Sequence, residues 1–138
     1  MSGPYRFGNT SENRLTTCHL ALQSILRRAI EIMDFSVVCG HRSPEAQAEA
    51  FRAGLSKLKP GQSKHNRFPS RAVDLAPYYP GEGIRWNDPQ AFCLLAGIIR
   101  AVAHQQGVKI RWGGDWDGDN DRADQTFDDL GHFELADG

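Results

Sequence analysis

The amino-acid sequence predicts an α+β fold, a small and mostly antiparallel sheet with flanking helices. Segments with apolar residues at helical spacing are interspersed with short β-branched runs. The two kinds of segment follow one another without a regular strand-helix-strand repeat, which argues against a parallel, doubly wound sheet. A chain of 138 residues has the length of one ordinary domain and can bury its own core. We therefore expect a single domain over residues 1–138.

Three helices are predicted from capping residues and apolar periodicity. The first runs from Thr10 or Ser11, either of which can cap it, to about Glu31. The second covers 43–52, where a serine cap precedes a proline at the first helical position. The third covers 88–106, with Asn87 or Asp88 as its cap, and is strongly apolar.

Four short strands are predicted from apolar and β-branched segments bounded by glycine, proline or polar residues. They lie at 35–39, 71–76, 108–112 and 132–135. The intervening loops are a basic one, a proline- and glycine-rich one and an aspartate-rich one, at 55–62, 77–83 and 113–125.

Composition and charge exclude several classes of protein. The formal charge of -1 gives no reason to expect nucleic acid as a partner. No apolar run approaches the roughly 18 residues of a membrane span, and the N-terminus lacks the apolar stretch of a secretory signal. The three cysteines, Cys18, Cys39 and Cys93, are odd in number and far apart, which indicates buried reduced thiols. We expect a monomer that is made in the cytoplasm and needs another factor to pass the membrane.

His65, Asp74 and His132 are candidate zinc ligands. Asp74 lies in an apolar predicted strand, where a carboxylate is costly to bury unless it is paired or bound to a metal. Two imidazoles and one carboxylate leave an open coordination position, which is the ligand set of a hydrolytic zinc site. Asp129, three residues before His132, supplies a nearby carboxylate that could act as a base.

Each of these residues also has an ordinary structural interpretation. His132 could be a hydrogen-bonded core histidine, and His65 lies in a polar segment where solvent exposure is the default. Asp74 could pair with an arginine instead of a metal: Arg42, Arg67 or Arg71. Spacing alone leaves these alternatives open, because the three residues do not form a compact local motif such as His-Glu-x-x-His.

Five segments resemble the zinc D,D-peptidase family, in the same order along the chain. The longest carries the family's Ser-x-His…Asp signature, with Ser63, His65 and Asp74 at its defined positions. The others match the start of the first helix, a strand-end arginine motif, the segment before the last loop and an acid-x-x-His closing motif, at 11–15, 40–43, 111–116 and 129–135. The phage members of this family are L-alanyl-D-glutamate endopeptidase endolysins. The resemblance covers nearly the whole chain.

This resemblance implies a Hedgehog/D,D-peptidase-type fold and a zinc peptidase that cuts peptidoglycan stem peptides, at the L-alanyl-D-glutamate bond in the endolysin branch. It implies zinc held by His65, Asp74 and His132. Asp129 matches the family's general base, and Arg42 matches the arginine that binds substrate and transition state. The alternatives are a D,D-carboxypeptidase or dipeptidase of the same fold and a non-catalytic, zinc-stabilised binding module.

Two positions depart from the commonest family pattern. The interval from His65 to Asp74 is two residues longer, and a proline-containing loop could absorb the difference. The base position carries Asp rather than the Glu that is more frequent in the dipeptidase branch, which favours the endolysin branch. Asp128 and Glu134 are rivals of Asp129 for the role of base.

Alternate aspartates in a glycine-containing loop indicate a second metal site. The candidate calcium ligands are Asp115, Asp117, Asp119 and Asp121. Their spacing is typical of the first half of an EF-hand loop, but Thr126 stands where the twelfth-position Glu would be. A solvated acidic loop without an ion is an equal alternative.

Basic and aromatic residues are candidates for substrate contact. Segment 55–67 carries four basic residues that could attract the carboxylates of peptidoglycan. Trp86, Trp112 and Trp116 could line a cleft; we expect Trp112 in the core and Trp116, in the aspartate-rich loop, in the cleft wall.

Overall fold

The computed structural model describes residues 4–123 and 129–136, which form an antiparallel sheet flanked by helices. The helices are α1 (Asn9–Leu15), α2 (Leu20–Ala29), α3 (Pro44–Arg52) and α4 (Pro89–Gln105). The strands are β1 (Phe35–Cys39), β2 (Ala72–Tyr79), β3 (Gly83–Ile84), β4 (Ile110–Trp112) and β5 (His132–Leu135). A short 3-10 helix covers Lys64–Asn66. The predicted α+β class is confirmed. No helix in the described segments has the length and apolar character needed to cross a bilayer.

The sheet places three chemically distinctive side chains in one row. Its strand order is β1-β2-β5-β4, and β3 pairs with the C-terminal end of β2. β1 places Cys39 opposite Asp74 on β2, and β5 places His132 opposite the same aspartate. A register shift after Val37 brings Cys39 into this position. Because directly paired residues project from the same side of a sheet, all three side chains share one face.

The hydrophobic core lies on the opposite face of the sheet. The residues that alternate along the strands with Asp74 and His132 point into this core. They are Val73 and Leu75 on β2 and Phe133 on β5, each at most 1% exposed. α2 packs against α4, and α1 lies along β1. This alternation separates the packed core from the residues that carry chemistry. The three cysteines are free, as expected, but their burial differs: Cys18 is buried, and Cys39 and Cys93 are half-buried.

The first predicted helix is divided in two, so the prediction of one helix to Glu31 is wrong. The backbone between α1 and α2 pairs with the segment that precedes β2. Ser70 donates its N–H to the Thr17 carbonyl (2.8 Å), and its carbonyl accepts from the His19 N–H (2.8 Å). This tertiary pairing interrupts the helical periodicity and fixes where β2 begins.

The predicted caps of α3 and α4 are confirmed, but that of α1 is wrong. Ser43 and Asp88 each accept a hydrogen bond at 3.1 Å from the backbone N–H three residues further on. Gly8 precedes α1 without a side-chain cap. The Ser11 hydroxyl instead accepts from the Val37 N–H (3.0 Å), so it ties α1 to the sheet.

Two strands differ in length from the prediction. β2 continues to Tyr79, where it pairs with β3, so the predicted loop over 77–83 is shorter. This part of the strand was not predicted from the sequence, because the prolines in that segment are typical of loops. β4 begins at Ile110, because the Val108 N–H donates to the Ala103 carbonyl (2.9 Å) at the end of α4. β1 and β5 have the predicted bounds.

Gly113 allows the segment after β4 to lie against the segment before β5. Its N–H donates to the His132 carbonyl (2.9 Å), and its carbonyl accepts from the Asp129 N–H (2.8 Å). A Cβ atom at this position would lie 2.1 Å from the Asp129 carbonyl oxygen. Glycine is therefore required here, and it sets the backbone position of both residues.

Gly113→Ala is expected to lower the free energy of unfolding by about 1–3 kcal/mol, the usual cost of overpacking. Gly97→Ala is the matched control, because Gly97 is exposed on α4 and its Cβ position is open. That change should raise the free energy of unfolding by about 0.5–1 kcal/mol, since alanine favours a helix. Urea denaturation measures both. Parental stability in Gly113→Ala would contradict this close approach.

Candidate metal centre and catalytic site

Two histidine side chains, His65 from the 3-10 helix and His132 from β5, converge on Asp74 of β2. Its Oδ1 atom lies 3.3 Å from His65 Nε2 and 3.1 Å from His132 Nδ1. The two imidazole rings have centroids 5.2 Å apart. Ligand atoms around a tetrahedral ion with bonds of about 2.1 Å lie about 3.4 Å apart, close to these separations. The structure thus brings the three predicted ligands into positions that could hold one metal ion.

His65 reaches this cluster from the 3-10 helix, which has a capping box. The Ser63 hydroxyl accepts from the His65 N–H (3.1 Å), and Asn66 Oδ1 accepts from the Ser63 N–H (3.3 Å). The His65 carbonyl also accepts from the Arg42 N–H (2.7 Å). His65 is only 2% exposed, so the alternative of a solvent-exposed histidine is wrong. The polar neighbours build the turn, and the imidazole points inward.

The longer interval between His65 and Asp74 is accommodated by an exposed loop over 67–69. The chain returns to the sheet because the Arg71 N–H donates to the Lys64 carbonyl (3.1 Å). The extra residues therefore extend outward without displacing either candidate ligand.

A hydrogen bond behind His65 fixes the orientation of its ring. His65 Nδ1 lies 2.7 Å from the Gly40 carbonyl oxygen, and this contact requires a hydrogen on Nδ1. In a neutral imidazole the Nε2 lone pair is then free to bind a metal. His65 Nε2 is fully buried and has no hydrogen-bond partner among the described residues, although Asp74 lies near it. This orphaned nitrogen is the observation that best fits a metal ion to the cluster.

His132 is oriented by Glu134, two residues further along β5 and therefore on the same face of the strand. His132 Nε2 lies 2.9 Å from Glu134 Oε1. Lys64 (3.0 Å) and Arg111 (3.4 Å) contact the other carboxylate oxygen. Burial opposes ionisation of Glu134, but its contacts with His132 and Lys64 outweigh burial and lower its pKa to about 2. Glu134 thus touches the ring nitrogen remote from Asp74.

Of the three arginines considered from the sequence, Arg42 pairs with Asp74, at 3.4 Å. Asp74 makes this ion pair and its contacts with the two histidines at the same time. Burial acts to raise the pKa of Asp74, but His132 and His65 outweigh it and hold that pKa well below its usual range. Burial likewise acts to lower the pKa of His65, but Asp74 and Cys39 raise it to about 10. Asp74 is therefore held as a carboxylate.

Gln47 is a buried partner of Arg42 that sequence reasoning missed. Its side chain is fully buried, and its Oε1 accepts from Arg42 Nη1 (2.9 Å). Its Nε2 donates to the Ser56 hydroxyl (2.9 Å) and the Leu58 carbonyl (2.7 Å). The amide thereby joins the arginine to the basic loop. The sequence offered one signal, a glutamine in the first turns of a capped helix and five residues after Arg42.

Cys39 is a second neighbour that the sequence did not reveal. Its Sγ lies 3.9 Å from His65 Nδ1 and 3.7 Å from Arg42 Nη2. One ligand atom each from Cys39, His65 and Asp74 lie within 4.8 Å of one another, so these residues also form a group that could hold a metal. Burial opposes ionisation of the thiol, but contact with His65 lowers its pKa. Its position depends on the register of β1 against β2.

Asp129 lies beside the cluster and is exposed. Ligand atoms of Asp74, Asp129 and His132 lie within 4.8 Å of one another. Displacement of water by neighbouring atoms, together with the charge of Asp74, raises the pKa of the Asp129 carboxyl. An accessible carboxylate that is more basic than usual suits proton transfer. Two residues singled out in the sequence, Asp128 and Thr126, lie outside the described residues.

Three of the four candidate calcium ligands lie together. Carboxylate oxygens of Asp115, Asp117 and Asp119 are within 4.8 Å of one another. Asp115 is 2% exposed; its Oδ2 accepts from the Asn120 N–H (2.8 Å), and its Oδ1 has no partner among the described residues. Asp121 is not in this group, although its Oδ1, like that of Asp119, accepts from the N–H two residues further on (2.8 Å).

Two cavities lie beside the histidine–aspartate cluster and share Asp74 and Asp129 as walls. The smaller one, the apolar cavity, has a volume of about 370 Å³; the rest of its wall is Val38, Leu75, Trp86, Pro89, Phe92, Leu130 and Gly131. The larger one, the basic cavity, has a volume of about 660 Å³ and extends over both histidines. Its wall includes the basic residues Arg42, Lys57, Lys64 and Arg111.

The three tryptophans divide between core and cavities. Trp112 is 5% exposed and stacks on Phe133, as expected for the core. Trp116 lines the basic cavity, with its ring centroid 5.4 Å from that of His132, as expected for a cleft wall. Trp86 lines the apolar cavity. The exposed Trp86 and the half-buried Trp116 therefore line different cavities beside the cluster.

A sequence model of the phage L-alanyl-D-glutamate peptidase family matches residues 1–136. The chain belongs to this family. It is 38% identical over 139 residues to the L-alanyl-D-glutamate peptidase of Escherichia phage T5, in an alignment that covers 96% of this chain and 98% of that protein. The crystal structure of the Serratia marcescens L-Ala D-Glu endopeptidase ChiX matches with a TM-score of 0.77 and 29% identity, over 96% of this chain and 92% of that one. The family resemblance and the D,D-peptidase-type fold are thereby confirmed.

Gln47→Leu is expected to lower the free energy of unfolding by about 1–3 kcal/mol, because it leaves buried hydrogen-bond partners unpaired. Gln90→Leu is the matched control, since Gln90 is exposed on α4 and its replacement should change stability by less than about 0.5 kcal/mol. Thermal and urea denaturation of both variants measure the effect. Equal stability of the two would show that the amide contacts contribute nothing.

Proposed function

We propose that the chain is a zinc peptidase that hydrolyses the L-alanyl-D-glutamate bond of peptidoglycan stem peptides and serves as an endolysin. The observation that carries this proposal is the convergence of His65, Asp74 and His132, with a buried and unpartnered ring nitrogen facing the carboxylate. Family membership supports the choice of bond, because the matched phage and bacterial relatives are named for it. Those names also favour an endopeptidase over a carboxypeptidase or a non-catalytic module.

The proposed zinc ligands are His65 Nε2, Asp74 and His132 Nδ1. Zinc held there supplies a coordinated water with a pKa of about 7 and a Lewis acid for the substrate carbonyl. The contacts of Gly40 with His65 and of Glu134 with His132 support this assignment, because each leaves the metal-facing nitrogen free to bind. Glu134 has an orienting role in this scheme rather than that of a base.

Asp129 is the proposed general base. It accepts a proton from water as the water oxygen bonds to the alanyl carbonyl carbon, and it delivers the proton to the glutamyl nitrogen as the C–N bond breaks. The products are a carboxyl group on L-alanine and a free amine on D-glutamate. Arg42, held by Asp74 and Gln47, would stabilise the negative charge that develops on the carbonyl oxygen.

The proposal extends to the setting in which the chain acts. Residues 1–138 work as one catalytic domain and as a monomer, with peptidoglycan rather than nucleic acid as partner. The protein is made in the host cytoplasm and acts on the cell wall after release by another factor. The formal charge of -1 supports the absence of a nucleic-acid function.

Digestion of purified sacculi tests the reaction. The zinc-loaded protein should release fragments that end in L-alanine and fragments that begin with D-glutamate, identified by mass spectrometry, and a chelator should stop their release. Free D-alanine instead would identify a carboxypeptidase. A folded, zinc-loaded protein that releases no ends from the walls of several bacteria would support the non-catalytic alternative.

Single substitutions separate metal binding from proton transfer. His132→Ala should lose both zinc and activity, whereas Asp129→Asn should keep zinc and lose at least about 100-fold in turnover. His104→Ala is the control, because His104 is exposed on α4 away from the cluster, and it should retain both. Metal content is measured beside turnover. Full activity in zinc-free His132→Ala protein would refute the ligand assignment.

The apparent zinc affinity should rise with pH. Asp74 and Cys39 raise the pKa of His65 to about 10 against the effect of burial, so the metal-free imidazole carries a proton that zinc must displace. Each displaced proton makes the affinity rise about tenfold per pH unit below that pKa. Competition with a chromophoric chelator between pH 6 and pH 8 measures the slope. A pH-independent affinity would contradict protonation of the metal-free cluster.

We further propose that Asp115, Asp117 and Asp119 bind calcium. The unpartnered buried oxygen of Asp115 supports this assignment. Lost hydration and contact with Asp115 and Asp119 raise the pKa of Asp117, a sign of like-charge crowding that a hard cation would relieve. The Asp115 N–H donates to the Trp112 carbonyl at the end of β4 (3.0 Å), so a bound ion would order the chain next to the sheet.

Titration calorimetry of the zinc-loaded protein with calcium should reveal one site. Asp117→Asn should weaken it by about tenfold or more, because hard cations depend on carboxylate charge. Glu45→Gln, an exposed acid on α3, should leave the affinity unchanged. No heat of binding in the parent protein would refute the calcium proposal and leave the zinc proposal intact.

A further inference from the structure

We propose that the charge difference between the two cavities fixes the direction of the stem peptide, with its L-alanyl side in the apolar cavity and its D-glutamyl side in the basic cavity. This inference rests on the proposed function, which supplies the bond between these two residues.

The two cavities meet at the groups proposed to carry the reaction. Asp74 and Asp129 line both of them, so a peptide bond held beside these carboxylates has one substrate residue on each side. The two cavities thus adjoin at these carboxylates, and a linear peptide can cross this point in two opposite directions.

The apolar cavity suits the uncharged side of the bond. Apart from the two shared carboxylates, none of the described residues that line it is charged. Trp86 is 60% exposed, and its ring centroid lies 6.4 Å from that of buried Phe92, so the indole forms an accessible apolar wall. L-alanine presents only a methyl group, and the amide that joins it to the preceding acyl group carries no charge.

The basic cavity suits the charged side of the bond. Among the described residues it adds four basic side chains, Arg42, Lys57, Lys64 and Arg111, and one further carboxylate, that of Glu134. Its described wall thus holds four basic side chains against three carboxylates, those of Asp74, Asp129 and Glu134. D-glutamate in a stem peptide uses its amine and one carboxyl for chain linkage, and its other carboxyl is available for pairing with a cation.

The opposite direction is disfavoured by charge burial as well as by lost attraction. It would place the free glutamate carboxylate against Trp86 and Phe92, in a cavity whose described wall has no basic residue. Removing a charge from water without a partner is costly. The alanyl methyl would meanwhile occupy a basic cavity without a group to pair with its cations.

Two pairs of synthetic substrates test this direction. One pair differs in the free glutamate carboxyl, which is either ionised or converted to a carboxamide. The other pair differs before alanine, which is either N-acylated or left as a free amine. kcat/KM is measured for each substrate with the zinc-loaded parent protein and with variants of one residue in each cavity.

Lys57→Gln should shrink the preference for the ionised carboxyl by about threefold to fivefold, the usual effect of an exposed ion pair, and leave the acyl preference unchanged. Trp86→Ala should shrink the acyl preference by about tenfold and leave the carboxyl preference unchanged. Lys57→Arg and Trp86→Phe should restore parental ratios. Lys59→Gln, on the same loop but outside the cavity wall, and Phe68→Ala, an exposed aromatic outside both cavities, should behave as the parent.

The outcomes separate this inference from the proposed function. Cleavage by the parent protein with the two effects exchanged, or with neither ratio changed in the variants, overturns the direction and leaves the reaction standing. A parent protein that cleaves neither these peptides nor sacculi overturns both.

Discussion

The pairing of β2 with β5 is the constraint on which the site depends, because it places Asp74 directly opposite His132. A slip of one residue would turn Asp74 into the core and Leu75 out of it. Close backbone approaches prevent such a slip. The Leu75 N–H donates to the Gly131 carbonyl (2.8 Å), and a Cβ on Gly131 would lie 2.4 Å from the Leu75 carbonyl oxygen. Gly113 holds the other side of the same segment.

Much of the fold follows from local signals in the sequence. Caps and apolar periodicity predicted α3 and α4, and β-branched runs predicted β1 and β5, because these elements depend on neighbours within a few residues. The wrong predictions arise where contacts between distant segments of the chain determine the local structure. The chain between α1 and α2 is extended because it pairs with Ser70, and no pattern within residues 10–31 reports that pairing.

The candidate site likewise has parts that local sequence signals predict and parts that depend on contacts between distant segments. From spacing alone, His65 could have been solvent-exposed and Asp74 could have been paired with an arginine. The family motifs, which occur in order along the chain, instead favoured both residues as metal ligands. The glutamate that orients His132 was within reach of sequence reasoning, because residues two apart on a strand share a face. Gln47 and Cys39 were not, since their contacts arise across elements whose register the sequence does not state.

The charge balance of the cluster indicates whether the fold arranges the site before a metal ion binds. Asp74 is half-buried, and its negative charge is met by Arg42 and by two histidines whose pKa values are raised. A zinc ion entering between the same atoms would replace protons and leave the outer contacts of Gly40 and Glu134 in place. The core lies on the other face of the sheet and contains none of the proposed ligands. Metal binding should therefore complete a site that the fold already arranges, unlike small zinc modules that are unfolded without their ion.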